Sequence, residues 1–191
     1  MICAAGYMRS EDNRIFNTTA ERVEKLLDFE ILSRLPNYNN SNIVIMVSSN
    51  LWDLSNGDGC NDQVGVTEEY QERYRKGMLD LYATIQKRLP NVPVYWKTSP
   101  AVGLEFSEQS EKGGSGRTRG NQETLNTVMR KTVAEHKLGV VVDWWALSNR
   151  RTEDDRGFWY DARHYGGAAS VVFYNMFLSA LFDHHPEFLQ Q

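Results

Sequence analysis

The chain has 191 residues, 41% of them hydrophobic and 24% charged, with a net charge of −4. That length suits one domain with a substantial core, and the composition is that of a folded globular protein rather than a disordered one. The acidic balance offers no general attraction to nucleic acid or an anionic membrane. No apolar stretch reaches membrane-spanning length, and no basic segment followed by a long apolar run marks a signal peptide.

Four short apolar runs, Ile2 to Tyr7, Ile43 to Ser48, Val92 to Lys97 and Leu138 to Asp143, alternate with longer amphipathic stretches. The alternation predicts an α/β domain with a parallel sheet. Between the first two runs, Thr18 to Leu35 opens with Thr18 and Glu21 at capping-box spacing and carries Val23, Leu26, Leu27 and Ile31. A second helix is expected from Glu68 to Leu89, with Tyr70, Tyr74, Leu81, Tyr82, Ile85 and Leu89 largely on one face. A third follows Asn121, with Leu125, Val128, Met129, Thr132 and Val133 at helical spacing. The last, roughly Gly167 to Phe182, is apolar almost all round and is expected to be buried against the sheet.

Two long loops, Leu51 to Gly65 and Ser99 to Gly120, each follow a strand. They therefore belong at the carboxyl edge of the sheet, where open α/β sheets bind ligands. The Gly113-Gly114-Ser115-Gly116 tract lacks the Gly-Lys-Ser/Thr ending of a phosphate-binding loop and reads as a flexible surface loop.

Two segments carry chemistry. In Asp161-Ala-Arg-His164, just before the last helix, a carboxylate three residues before an imidazole can accept the Nδ1 proton and leave Nε2 free as a base. In Asn42 to Asp53, an apolar strand stops at Ser48-Ser49-Asn50, which holds a carboxamide donor at the sheet edge for a developing oxyanion. An isolated Asp-x-x-His also occurs in ordinary surface turns, and an asparagine at a strand end can simply cap its loop.

The two segments, their order and their separation resemble those of the SGNH hydrolases, the GDSL-type lipases and esterases. In that family a Gly-x-Asn element ends the third strand and an Asp-x-x-His element precedes the last helix. Here Ser48-Ser49-Asn50 stands for the first, with Ser48 in place of the glycine, and Asp161 and His164 match the second. The run SNLWDLS is most similar to the PC-esterase branch, whose members are related to acyl esterases and acyltransferases of glycans. The resemblance implies a three-layer α/β/α sandwich of the SGNH or flavodoxin-like kind. It implies catalytic roles for His164, Asp161, Asn50 and the Gly6 amide, a substrate pocket shaped by Trp52, Asp53 and Trp144, and no metal or organic cofactor. The expected substrate is a small-molecule or glycan acyl ester.

The family pattern opens with a strand ending in Gly-Asp-Ser, which carries the nucleophile and lies between the second and third strands. No Gly-Asp-Ser occurs in these 191 residues. Ile2 to Gly6 fits the second family strand, and Ser10 lacks the expected setting for a nucleophile. The chain is thus expected as a single domain over 1–191 without the family's first block. The two strands that would flank it, Ile2 to Tyr7 and Ile43 to Ser48, then either pair directly or leave a row of backbone groups open.

The remaining candidates have ordinary roles. His136 sits at a helix carboxyl end, and His184 and His185 follow the last helix without ligand-spaced partners. Trp144, with Trp145, can pack in the core as well as stack on a sugar. Cys3 and Cys60 set no disulfide framework, and the sequons at Asn17 and Asn39 matter only in a secreted protein, which leaves compartment and oligomeric state open. Two alternatives stand beside the esterase reading. One is a catalytically inactive binding module of the same fold. The other is a nucleotide-binding α/β domain, for which only Gly6 offers a glycine turn after a strand.

Overall fold

The computed structural model describes residues 2–3, 24–25, 27, 43–48, 54, 66–112, 116–150, 158 and 165–189. Four strands, β1 (Ile2–Cys3), β2 (Ile45–Ser48), β3 (Val94–Lys97) and β4 (Val140–Val142), form one sheet in the order β1-β2-β3-β4. All three pairings are parallel. The four apolar runs each became a strand, and the described strands are shorter than the runs. Ile2 lies opposite Val47 and Cys3 opposite Ser48, so β1 pairs directly with β2. The gap expected from the missing family strand is therefore closed by direct pairing.

Parallel neighbours need long crossovers, and the helices supply them. Helix α1 (Glu68–Arg88) joins β2 to β3, and after β3 come α2 (Leu104–Lys112) and α3 (Arg119–His136). A short α4 (Trp144–Ser148) follows β4, then α5 (Gly167–His184) and a 3-10 turn, Pro186–Leu189. Of the expected helix over Thr18 to Leu35, only Glu24 and Lys25, both helical, and the buried Leu27 lie within the described residues.

Local chemistry explains where the crossovers start and stop. Thr67 caps α1 by accepting the Tyr70 amide, and Glu68 and Glu69 at one end and Lys87 and Arg88 at the other complement the helix dipole. Thr118 caps α3 by accepting the amide of Asn121, so the helix begins three residues earlier than its apolar pattern indicates. Lys137 ends α3 in a left-handed conformation. Gly139 follows with φ of +117°, where an added Cβ would stand 2.1 Å from the Val94 carbonyl oxygen. Only glycine lets the chain turn from α3 into β4 so close to the start of β3.

The strands alternate faces with period two. Ile45, Val47, Val94, Trp96 and Val141 point to the α1 and α3 side, where they meet Tyr74, Met78, Leu81, Ile85, Leu125, Met129 and Val133. Met46, Tyr95, Val140 and Val142 point to the other side, where they meet Ala169, Phe173, Phe177 and Leu181 of α5. Register aligns these rows, with Val47 opposite Trp96 and Trp96 opposite Val141 on one face, and Met46 opposite Tyr95 and Tyr95 opposite Val140 on the other. The result is the expected three-layer α/β/α arrangement.

Two expectations are corrected. The segment Ser99 to Gly120 is not loop throughout, because Leu104–Lys112 forms α2. The apolar α5 is not buried all round: Ala169, Phe173 and Leu181 face the sheet, while Val171 and Tyr174 are each 60% exposed. No described helix is long and apolar enough to cross a membrane.

Candidate active site

The parallel register places Cys3, Ser48, Lys97 and Val142 in one row at the carboxyl edge. The segment with Gly6 leaves this row at Cys3, and the segment with Asn50, Trp52 and Asp53 leaves it at Ser48. Gly6, Asn50, Trp52, Asp53, Asp161 and His164 themselves lie outside the described residues. Their chain neighbours do not, and these define the edge.

Past β3, the chain 98–102 is held by buried side chains. The Ser99 amide donates to Asn126 Oδ1 (2.9 Å), and Asn126 Nδ2 returns a bond to the Ser99 carbonyl (3.1 Å). Gln122 Oε1 accepts from the Val102 amide (3.1 Å), while its Nε2 donates to Ser99 Oγ (3.0 Å) and the Pro100 carbonyl (2.9 Å). The Ala101 amide donates to Ser148 Oγ (3.0 Å), and Arg119 Nε to the Val102 carbonyl (2.7 Å). Gln122, Asn126 and Ser148 are all fully buried. A strand-to-helix connection this deep must have its backbone groups satisfied by side chains, and two carboxamides one helical turn apart do that here.

Past β4, Asp143 is fully engaged. Its carboxylate accepts from Arg130 Nε (2.9 Å) and Nη2 (3.1 Å), from Thr98 Oγ1 (3.1 Å), and from the Ala146 amide as the cap of α4 (3.3 Å). Thr98 Oγ1 in turn accepts from the Trp145 amide (2.9 Å). Burial works against the Arg130 charge, but its bonds to Asp143 and Glu123 outweigh burial and hold the guanidinium above its ordinary range. Asp143 therefore locks two strand ends together.

Trp144 is 2% exposed, stacked on Phe158 (centroids 5.9 Å apart) with edge contacts to Tyr165 (5.6 Å) and Phe173 (5.3 Å). At this exposure its ring packs in the core beneath the edge.

The segment carrying Asp161 and His164 is bracketed by described residues. Phe158 precedes it and Tyr165 follows it, and the Gly166 amide donates to the Phe158 carbonyl (2.9 Å). Phe158 and Tyr165 meet edge to face at 5.3 Å. The Tyr165 hydroxyl donates to the Ala101 carbonyl, inside the chain that Gln122 and Ser148 hold. Burial pushes the Tyr165 phenol well above its ordinary pKa, against smaller opposing effects of Ser148 and Arg119. The hydroxyl thus stays protonated and keeps donating at any ordinary pH.

Sequence reasoning missed Gln122, Asn126, Ser148 and Tyr165. The available signal was Gln122 and Asn126 standing on the inward stripe of α3 among Leu125, Met129 and Val133. A carboxamide at a core position implies a buried backbone partner. A groove of about 470 Å³ between α1 and α3, lined in part by Glu68, Glu72, Arg75, Glu123, Lys131 and Glu135, includes none of the catalytic or substrate-binding residues expected from sequence. No cluster of metal-binding side chains occurs among the described residues.

No protein-family model matches the chain, and no curated protein matches it. Solved structures do. A lipase/acylhydrolase from Enterococcus faecalis is similar with a TM-score of 0.56 at 16% identity, over 88% of this chain and 72% of that one. A protein from Lactobacillus plantarum is similar with a TM-score of 0.50 at 14% identity, over 81% of this chain and 73% of that one. At such identities the likeness speaks for the fold alone: the chain shares its α/β fold with the Enterococcus faecalis lipase/acylhydrolase.

Proposed function

We propose that this protein belongs to an ester hydrolase or acyltransferase of the SGNH type, acting on an acyl ester of a small molecule, glycan or lipid. His164 is the general base, Asp161 orients it, and Asn50 with the Gly6 amide forms the oxyanion hole. The observation that carries the reading is the Tyr165 bond to Ala101. It ties the residue after His164 to the carboxyl edge, from which the Asn50 and Gly6 segments also leave.

In the reaction, a serine hydroxyl attacks the acyl carbonyl carbon while His164 Nε2 takes the hydroxyl proton. The carbonyl oxygen becomes an oxyanion facing Asn50 and Gly6. Collapse expels the alcohol, which takes the proton from the imidazolium, and leaves an acyl-enzyme. Water or an acceptor alcohol, deprotonated by the same imidazole, then releases the acyl group and restores the serine. The serine would come from a Gly-Asp-Ser segment that the 191 residues do not contain.

One observation favours a second reading, a non-catalytic module of the same fold. Direct pairing of β1 with β2 occupies the position of the nucleophile strand in the family pattern. A fluorophosphonate probe with peptide mapping separates the two readings. The esterase reading expects one labelled serine, p-nitrophenyl acetate turnover, and loss of both in His164→Ala. Absence of labelling and turnover in the protein expressed from its native transcript would favour the binding module.

A further inference from the structure

We propose that α5 is the interface of a weak homodimer, in which the outer stripe of the helix packs antiparallel on the same stripe of a second copy, about a two-fold axis near Asn175.

Three features of α5 carry it. First, the stripe opposite the sheet has the spacing of a helix–helix seam. Ala168, Val171, Asn175, Leu178 and Phe182 recur alternately three and four positions apart, which keeps them on one side of an α-helix. Val171 and Leu178 are 60% and 41% exposed, Ala168 and Asn175 are exposed as well, and Phe182 is half-buried. Contact with the sheet is left to Ala169, Phe173 and Leu181. A surface helix ordinarily carries charge on its outer side, and α5 has none from Gly167 to Phe182.

Second, the stripe is its own complement when reversed. Asn175 stands near the middle of Gly167–His184. An antiparallel copy crossing there sets Asn175 beside Asn175 of the second copy, Val171 beside Leu178, and the small Ala168 beside the large Phe182. Two carboxamides satisfy each other, and a polar pair in an apolar seam fixes its register. Parallel packing would instead oppose Ala168 to Ala168 and Phe182 to Phe182, which leaves a gap at one end and crowds the other.

Third, the ends of the helix match in charge. The first turn of α5 has no acidic residue, and its cap, Gly166, has no side chain to accept the open amides. The exposed Asp183 stands at the other end, where its own helix dipole disfavours a carboxylate. Antiparallel packing brings Asp183 to the level of Gly167 in the second copy, beside those amides, and symmetry makes this contact twice. Area limits the strength. With the flanking Val172 and Tyr174, the stripe exposes roughly 500 Å² per copy, so the pair buries about 1,000 Å², the lower end for a specific interface. A Kd on the order of 10–100 µM follows, and dilute protein is monomeric.

The test is sedimentation velocity of the full protein from about 5 to 300 µM, in which monomer is expected to give way to dimer. Val171→Glu and Leu178→Lys each set a charge against an apolar contact and are expected to raise Kd by more than about tenfold. Each charge lies in the half of α5 whose dipole favours it, so the fold is spared, with far-ultraviolet circular dichroism as the check. Mixed in equal amounts, the two variants are expected to dimerise as the wild type does. Antiparallel packing sets the new carboxylate against the new ammonium and leaves Val171 against Leu178 at the symmetry-related contact.

A wild type that stays monomeric at about 300 µM overturns the proposal, and binding of that monomer to phosphatidylcholine vesicles would assign the stripe to a lipid surface instead. A dimer that both variants leave intact also overturns it, as do two monomeric variants that stay monomeric on mixing. Should either variant lose its fold, Asn175→Cys decides the matter. A short bismaleimide is expected to link two copies through position 175, and absence of that link in peptide maps that resolve Cys3 and Cys60 overturns the two-fold arrangement.

Discussion

The two faces of the sheet are covered by helices of opposite character. The α1 and α3 face is covered by two amphipathic helices whose inward stripes are apolar and whose outer faces carry the charge. Helix α5, on the other face, has no charged residue from Gly167 to Phe182, yet Val171, Tyr174 and Leu178 are exposed. Width explains the difference. Four strands span roughly 15–20 Å, which a pair of helices about 10 Å wide covers and one helix does not. Among the described residues α5 meets the five-residue α4 and the 3-10 turn rather than a second long helix, so its outer stripe stays open however apolar it is. Hydrophobicity sets what a helix can bury, and its neighbours set what it does bury.

The most damaging substitution should be the one that breaks the sheet both faces share. Gly139→Ala places a methyl group 2.1 Å from the Val94 carbonyl oxygen at a φ of +117°. The clash is with backbone, so β3 and β4 must separate. We expect destabilisation above about 4 kcal/mol, or failure to fold, in a urea titration followed by circular dichroism. A wild-type midpoint would mean that the turn into β4 can relax without cost.

The α5 face offers a sharper comparison within one helix. Phe173 is 8% exposed and packs on Trp144, whereas its neighbour Tyr174 is 60% exposed. Phe173→Ala should cost about 3–4 kcal/mol and Tyr174→Ala less than about 0.5 kcal/mol in the same titration. Equal losses would show that the outer face of α5 is covered in solution, and the contrast between the two faces would dissolve.

On the opposite face, the buried carboxamides of α3 are expected to matter through the connection they hold rather than through packing. Asn126→Ala leaves the Ser99 amide and carbonyl without their partners (2.9 and 3.1 Å), at a cost of about 2–3 kcal/mol. Asn126→Asp restores the acceptor and not the donor, and should recover part of that loss. If Asn126→Ala unfolds at the wild-type urea concentration, water satisfies the connection and the bonds add little.

Much of the fold was legible because its signals are local and additive. Four apolar runs separated by amphipathic stretches gave the strands, their parallel pairing and three of the helices. The same reasoning failed where structure depends on a distant partner. Leu104–Lys112 has little apolar pattern, and only Ser110 in it is buried, so nothing in its sequence marks a helix. The exposure of α5 was illegible because it depends on how many helices share a face. At the site, the resemblance picked out residues that are named by motif, such as Asp161 and His164. It could not reveal Gln122, Asn126 or Tyr165, whose value lies in backbone groups 20 or more positions away, the Tyr165 bond spanning 64.

The smallest expected effect lies at high pH and again separates neighbouring groups on the α5 face. Burial raises the Tyr165 phenol above its ordinary value of 10.0, and burial with a lesser contribution from the Glu187 carboxylate raises Tyr95. A folded pKa above the unfolded one means the neutral form is favoured by folding. The stabilisation is therefore complete below pH of about 10 and is lost as the pH rises from there toward the folded value. Tyr165→Phe cannot ionise, so its melting temperature should fall less between about pH 9 and 11.5 than that of the wild type. Tyr95→Phe should flatten the curve in the same sense but by less, because only Tyr165 gives up a hydrogen bond to a fixed carbonyl when it loses its proton. Identical alkaline limbs for the wild type and Tyr165→Phe would mean that the Tyr165 hydroxyl is open to solvent.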